Sequence, residues 1–120
     1  MTPHILVVED NAILAFSLVQ ALEAVGFAVV GPAASVAQAL ALIERDGCDA
    51  AVLDINLRGE TAEPIARCLR ARGRRFVALS GYARDQLPPA FDGVPALTKP
   101  VQTGRLVAEL RRCLDGPVQE

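Results

Sequence analysis

Four short stretches of the chain carry side chains able to do chemistry: Glu9-Asp10, Asp54, Ser80-Gly81 and Lys99-Pro100. Each closely follows a run of apolar residues, so each is expected where a buried strand reaches the surface. Together they offer three carboxylates, one hydroxyl and one ammonium. Three carboxylates brought to one place repel: two unit charges 4 Å apart at an effective dielectric of 20 interact by about 4 kcal/mol. Such a cluster needs a cation, a proton, or both.

The oxygens are hard donors, and no His or Cys accompanies them. That donor set selects Mg²⁺ or Mn²⁺ over zinc, with several waters kept in the shell. A divalent ion beside a hydroxyl and a lysine is an arrangement for phosphoryl transfer, because metal and ammonium neutralise charge on the equatorial oxygens. A carboxylate can serve there as nucleophile and become an aspartyl phosphate. Asp54 is the candidate nucleophile, Ser80 a donor to a phosphoryl oxygen, and Gly81 a point of close backbone approach. Lys99 is the only lysine in a chain with twelve Lys plus Arg. A compact point charge suits a small phosphoryl group better than a planar fork does.

The elements that must position these groups follow from two alternating periods. His4-Ile5-Leu6-Val7-Val8 is a continuous apolar run, expected of a strand buried on both faces. Asp10 or Asn11 then caps a helix with Leu14, Leu18, Leu22 and Val25 at helical spacing, ended by Gly26. Phe27–Val30 reads as the second strand, with Gly31-Pro32 as its exit. Ser35 caps a helix presenting Val36, Leu40 and Ile43 that stops near Asp46-Gly47. Ala50–Leu53 leads to Asp54 as the third strand. A helix after Thr61 carries Ile65, Cys68 and Leu69, with Pro64 tolerated in its first turn. Phe76–Leu79 is the fourth strand and Val94–Thr98 the fifth, and the last helix shows Leu106, Val107, Leu110, Cys113 and Leu114. Between the last two strands, 84–91 holds Pro88-Pro89 and little apolar stripe, so a short, frayed or missing helix is expected. The pattern predicts a three-layer α/β domain, (βα)5, with a parallel five-stranded sheet in the flavodoxin-like order 2-1-3-4-5. In such a sheet ligands collect at the carboxyl ends of the strands, where all four stretches fall.

At 120 residues and 12.7 kDa the chain is one domain, with an expected radius of gyration of roughly 13–14 Å. A net charge of −2 and only one tyrosine, four phenylalanines and no tryptophan argue against a nucleic-acid binder. No apolar run approaches the roughly 20 residues of a bilayer span, and no signal-peptide core follows the N-terminus, which predicts a cytoplasmic protein without membrane insertion. Cys48, Cys68 and Cys113 are scattered and lack CxxC spacing, as expected of small hydrophobes in a reducing compartment. His4 starts a strand at the end away from the site and is not read as a phosphodonor. Arg67, Arg70, Arg72, Arg74 and Arg75 read as a solvated helix face and loop. Neither GxGxxG nor GxxxxGK[ST] is present.

Each stretch alone has an ordinary reading. Asp54 could end a strand facing water, Glu9-Asp10 could be a helix N-terminal charge pair, and Ser80-Gly81 could be a turn. Taken together, with their spacings, they resemble the receiver domain of two-component response regulators over essentially the whole chain. The resemblance implies a phosphoacceptor that is not an enzyme in the usual sense and assists only its own phosphorylation and dephosphorylation. A histidine kinase or phosphotransfer protein would pass its phosphoryl group to Asp54 with Mg²⁺ bound. Asp10 would be a direct ligand, Glu9 close by, Asp54 would give an oxygen, and the backbone carbonyl of Asn56 would complete the protein share. The resemblance also implies a cis Lys99–Pro100 bond, inward movement of Ser80 on phosphorylation, and signalling to a downstream protein through the fourth helix, fifth strand and fifth helix.

Two features depart from that family. The aromatic switch position three residues before the lysine is Ala96, which leaves Tyr82 as the candidate substitute. The segment after Phe76–Tyr82 is poor in helix formers and resembles stand-alone bacterial receivers with a shortened or disordered fourth helix, where output would work by ordering that segment. Two competing readings are weaker. A haloacid-dehalogenase-like phosphatase needs a second Asp two residues after the nucleophile, where Asn56 stands. A phosphorylation-independent pseudo-receiver fits poorly with an intact acidic pair, Asp54, Ser80 and Lys99. The expected organisation is a receiver over 1–116 with a tail over 117–120, stand-alone or cut from a longer protein, and a monomer or weak dimer.

Overall fold

The computed structural model describes residues 2–81 and 87–115. Its central sheet contains β1 (His4–Val8), β2 (Ala28–Ala33), β3 (Ala50–Asp54), β6 (Arg75–Ser80) and β7 (Ala96–Thr98), all parallel, in the order β2-β1-β3-β6-β7. Counted within that sheet, the order is the expected 2-1-3-4-5. A small antiparallel hairpin, β4 (Asn56–Leu57) and β5 (Glu60–Thr61), follows β3 and has no counterpart in the sequence reading. The helices are α1 (Ala12–Ala24), α2 (Val36–Arg45), α3 (Glu63–Ala71) and α4 (Thr103–Asp115). The radius of gyration is 12.8 Å.

Strand periodicity divides the core into two layers. Leu6, Val8, Ala51, Leu53, Phe76 and Ala78 pack on one face with Ile43 of α2 and Ile65 and Leu69 of α3. Ile5, Val7, Ala50, Val52, Val77 and Leu79 pack on the other with Leu18 and Leu22 of α1 and Leu106 and Leu110 of α4. Successive side chains of a strand point to opposite faces, which is why unbroken apolar runs occupy the middle of this sandwich. Full burial of each Val, Leu, Ile or Phe side chain among these contributes roughly 1.5–3 kcal/mol.

The helix starts follow the expected caps. Asn11, not Asp10, caps α1, its Oδ1 accepting from the amides of Ile13 and Leu14 at 3.0 Å. Ser35 Oγ accepts from the Gln38 amide, and Pro64 lies in the first turn of α3. Two residues read as core positions of α1, Leu14 and Val25, are each 40% exposed, because this helix is apolar nearly all round and only one stripe reaches the sheet. The second strand also runs further than expected, through Gly31-Pro32 to Ala33. As an edge strand it tolerates a proline that lacks an N–H, and the register shifts there between Leu6 and Val8. Both Gly31–Pro32 and Lys99–Pro100 are cis.

Of the helix-poor segment, residues 87–91 are described, and they contain one 3-10 turn, Pro89–Phe91. Phe91 is buried and meets Phe76 edge-on at 5.9 Å. Arg70, read as part of a solvated face, instead donates to the carbonyls of Ala90 and Asp92 and lies over the Phe76 ring. Tyr82 lies outside the described residues. His4 is exposed and receives ordinary structural contacts, its amide donating to Asp49 at 2.7 Å. Cys48 is buried, Cys68 and Cys113 are half-buried, and all three are free.

Candidate functional site

The alternation that builds the core also aims the site. Glu9 continues the parity of Ile5 and Val7, Asp54 that of Ala50 and Val52, and Lys99 that of Leu97, so all three emerge on the α1–α4 side of the sheet. The β1 turn is held to its neighbour by the Glu9 amide, which donates to Ala33 O at 2.9 Å. Lys99 is held by its own amide, which donates to Ser80 O at 3.0 Å.

These constraints bring Glu9, Asp10 and Asp54 together, with one carboxylate oxygen from each within 4.8 Å of the others. Lys99 Nζ lies 2.9 Å from Asp54 Oδ2 and 3.2 Å from Glu9 Oε1. The other Asp54 oxygen accepts from the Asn56 amide at 3.3 Å, and Glu9 Oε2 accepts from the Asn11 amide at 3.1 Å. Asn56 thus enters through its N–H, a contact the sequence reading did not foresee. Ser80, 4% exposed, ends β6 beside Thr98 and next to β3. Ala96 begins β7, so the position of the missing aromatic sits within the sheet edge.

The electrostatics are those of a cup short of positive charge. Glu9 is 2% exposed, and burial pushes its carboxyl above the ordinary range, with Asp54 adding repulsion against the opposing pull of the Asn11 amide and Lys99. Burial acts on Lys99 in the opposite sense, but the hydrogen bonds and charges of Asp54 and Glu9 outweigh it and raise its pKa, so the ammonium stays charged. Glu9 Oε1 is buried and leans on an ammonium 3.2 Å away that it shares with Asp54, without a well-aligned hydrogen bond of its own, an expensive state for a buried oxygen. An unsatisfied carboxylate oxygen beside two further carboxylates fits a divalent cation with oxygen preference, and Glu9, Asp10 and Asp54 are the residues that could hold it.

One charged neighbour was missed from sequence. Arg58 Nε lies 3.5 Å from Asp10 Oδ2, and its Nη2 donates to the Asp10 carbonyl at 3.3 Å. Arg58 and Gly59 form the two-residue turn between β4 and β5, with φ of 52° and 89°. Positive φ at both positions is the mark of a type I′ hairpin, and the Gly after Arg58 was its one sequence signal.

Two hollows flank α1 and reach the cup. The larger, about 520 Å³, lies between α1 and α4 and is lined by Leu14, Leu18, Leu106, Glu9 and Lys99 among others. The second, about 360 Å³, lies toward β2 and includes Asp10, Phe16, Val19 and Pro32.

A parallel 2-1-3-4-5 sheet with an acidic cup and a lysine at its carboxyl edge is a doubly wound α/β domain with its site at the strand ends. Residues 5–111 match the model of the response regulator receiver domain, and the chain belongs to that family. It is similar to the solution structure of SdrG from Sphingomonas melonis Fr1, at 38% identity over 92% of this chain and 97% of that one, TM-score 0.77. It is similar to a CheY-like receiver domain protein from Methanospirillum hungatei JF-1, at 27% identity over 96% and 95% of the two chains, TM-score 0.85. The same fold occurs in a response regulator from Burkholderia pseudomallei with a phosphorylated aspartic acid, calcium ion and citrate, at 24% identity over 96% and 75%, TM-score 0.78. A search of curated proteins finds no match.

Proposed function

We propose that this receiver accepts a phosphoryl group on Asp54 from the phosphohistidine of a histidine kinase or phosphotransfer protein, with Mg²⁺ (or Mn²⁺) bound by Glu9, Asp10 and Asp54 and by the backbone carbonyl of Asn56. One observation carries this reading: the Asp54 carboxylate is buried, held by Lys99 Nζ on one oxygen and by the Asn56 amide on the other, beside two further carboxylates. A carboxylate fixed at both oxygens is oriented for in-line attack at little entropic cost.

In the transfer, an Asp54 oxygen forms the new P–O bond as the P–N bond to the donor imidazole breaks, and the imidazole leaves with that electron pair. The metal, when bound, neutralises charge that builds on the phosphoryl oxygens. Lys99 supplies a second positive charge, sharing itself between Asp54 and the incoming group, and Ser80 donates to a phosphoryl oxygen. Exposed Ile13 and Phe16, with half-covered Leu14, form an apolar rim on α1 that a donor protein would cover on its way to Asp54. Output then runs through the 3-10 turn, β7 and α4, with Tyr82 in place of the absent aromatic at Ala96, toward a downstream protein. A receiver spanning 1–116, cytoplasmic and monomeric or weakly dimeric, fits this role; no helix among the described residues is long and apolar enough to cross a membrane.

The test is intact mass after incubation with acetyl phosphate and Mg²⁺, comparing wild type with Asp54→Asn. The wild type should gain one phosphoryl group and the variant none. An adduct retained by the variant would move the acceptor elsewhere.

A further inference from the structure

We propose that Arg58 is the counter-ion of Asp10 in the metal-free protein, and that a divalent cation must displace it to enter the cup. The inference rests on the reading of Glu9, Asp10 and Asp54 as the divalent site.

The two cations at the site divide the carboxylates between them. Lys99 serves the inner pair, Asp54 and Glu9, and makes no ion pair with Asp10. Among the described residues, Arg58 is the cation within ion-pair distance of Asp10, and it holds both a carboxylate oxygen and the backbone carbonyl of that residue. Its own position is braced. Leu57 before it is buried at 2%, and Glu60 after the turn accepts from the Val36 amide at the start of α2 at 3.2 Å. The type I′ turn between these anchors places Arg58 beside the β1–α1 loop, where it meets Asp10.

Arg58 and an entering cation compete for one carboxylate. Asp10 is the outermost of the three acids, its side chain 19% exposed against 8% for Asp54 and 1% for Glu9, so a cation arriving from solution meets it first. One oxygen of the carboxylate that would take it, Oδ2, is 3.5 Å from the guanidinium Nε. A cation seated on that carboxylate faces the like charge of the guanidinium, and the repulsion opens the ion pair. The Arg58 side chain is 78% exposed, so it swings into water at low cost. The device therefore sets the concentration at which the cup fills without closing it. Because the opposing charge is in solution, salt weakens the competition.

The experiment is Mg²⁺ titration of the unphosphorylated full chain followed by backbone amide shifts, for wild type, Arg58→Ala, Arg58→Gly and Arg58→Lys. Removal of an exposed counter-ion should tighten binding by about fivefold in both Arg58→Ala and Arg58→Gly. Glycine keeps the positive φ of the turn without strain, so agreement between these two separates charge from misfolding of the hairpin. Arg58→Lys retains the charge and should stay within about twofold of wild type. Raising ionic strength should shrink the gap between wild type and Arg58→Ala. Equal affinity in wild type, Arg58→Ala and Arg58→Gly would overturn the competition while leaving the cup intact. No uptake by wild type at millimolar Mg²⁺ would instead remove the divalent site itself.

Discussion

Lys99 and Asp54 meet across an intervening strand. Their backbones belong to the ends of β7 and β3, with β6 between them, so two strand spacings of about 4.8 Å separate the chains. The ammonium nevertheless sits 2.9 Å from Asp54 Oδ2. A long, unbranched side chain starting from the right parity is required to close that gap, and the amide bond from Lys99 to Ser80 O sets its starting point.

Removing the lysine leaves buried carboxylates without their cation. Lys99→Ala should lower the stability of the metal-free protein by about 1–3 kcal/mol, less than the roughly 3–5 kcal/mol of a fully buried broken pair because the lysine is 28% exposed. Mg²⁺ should recover more stability in the variant than in wild type, since it satisfies the same oxygens. Urea midpoints with EDTA and with Mg²⁺ measure both; an unchanged midpoint in EDTA contradicts the prediction.

Gly31 is needed for space as well as for backbone conformation. Its φ is +99°, and a Cβ there would meet Ala33 N at 2.9 Å and Val7 O at 3.1 Å, both rigid backbone. Gly31→Ala should cost about 2–4 kcal/mol in urea unfolding. It should also shift the Glu9 amide resonance, because Ala33 O is that amide's partner. A neutral substitution would mean the β2 bulge relaxes freely.

The 3-10 turn before β7 is pinned from α3. Arg70→Ala removes two hydrogen bonds to carbonyls and a cation over Phe76, for an expected loss of about 1–2 kcal/mol. Amide exchange at Phe91, Asp92 and Val94 should accelerate, whereas exposed Arg72→Ala should leave it alone. Equal protection in the two variants would show that burial of Phe91 alone holds the turn.

Alkaline pH probes the face of the sheet that α2 and α3 cover. Burial pushes the Cys48 thiol from 9.0 up to about 11, so the folded chain holds this proton more tightly than the unfolded chain does. Stability is therefore lost as pH rises from about 9 through 11, by on the order of 2 kcal/mol at the upper end. Lys99, also raised, works in the same direction above 10.5, where its ion pairs dissolve. Urea midpoints at pH 8 and pH 11 should therefore fall less for Cys48→Ala than for wild type. Equal losses would place the alkaline sensitivity elsewhere.

Much of the scaffold was legible along the chain because buried parallel strands and amphipathic helices leave local signatures. Five apolar runs, the Asn11 and Ser35 caps and Pro64 in a first turn are decided by residues within a few positions of one another. The misreadings share one cause. Leu14 and Val25 keep helical spacing on α1, but only packing decides which stripe of an apolar helix meets the sheet. Gly31-Pro32 looks like a strand exit until β2 is known to be an edge. Arg70 looks solvated until the 3-10 turn is laid beside it.

The site divides in the same way. Residue type and position after each strand determined that Glu9, Asp10, Asp54, Ser80 and Lys99 emerge at one edge, since strand period and parallel topology leave them nowhere else. Distances of 2.9 and 3.2 Å to one ammonium and the guanidinium beside Asp10 were decided by tertiary structure alone. Those contacts join residues 45 to 90 positions apart, and electrostatic energy depends on separation in space, about which spacing along a chain is silent.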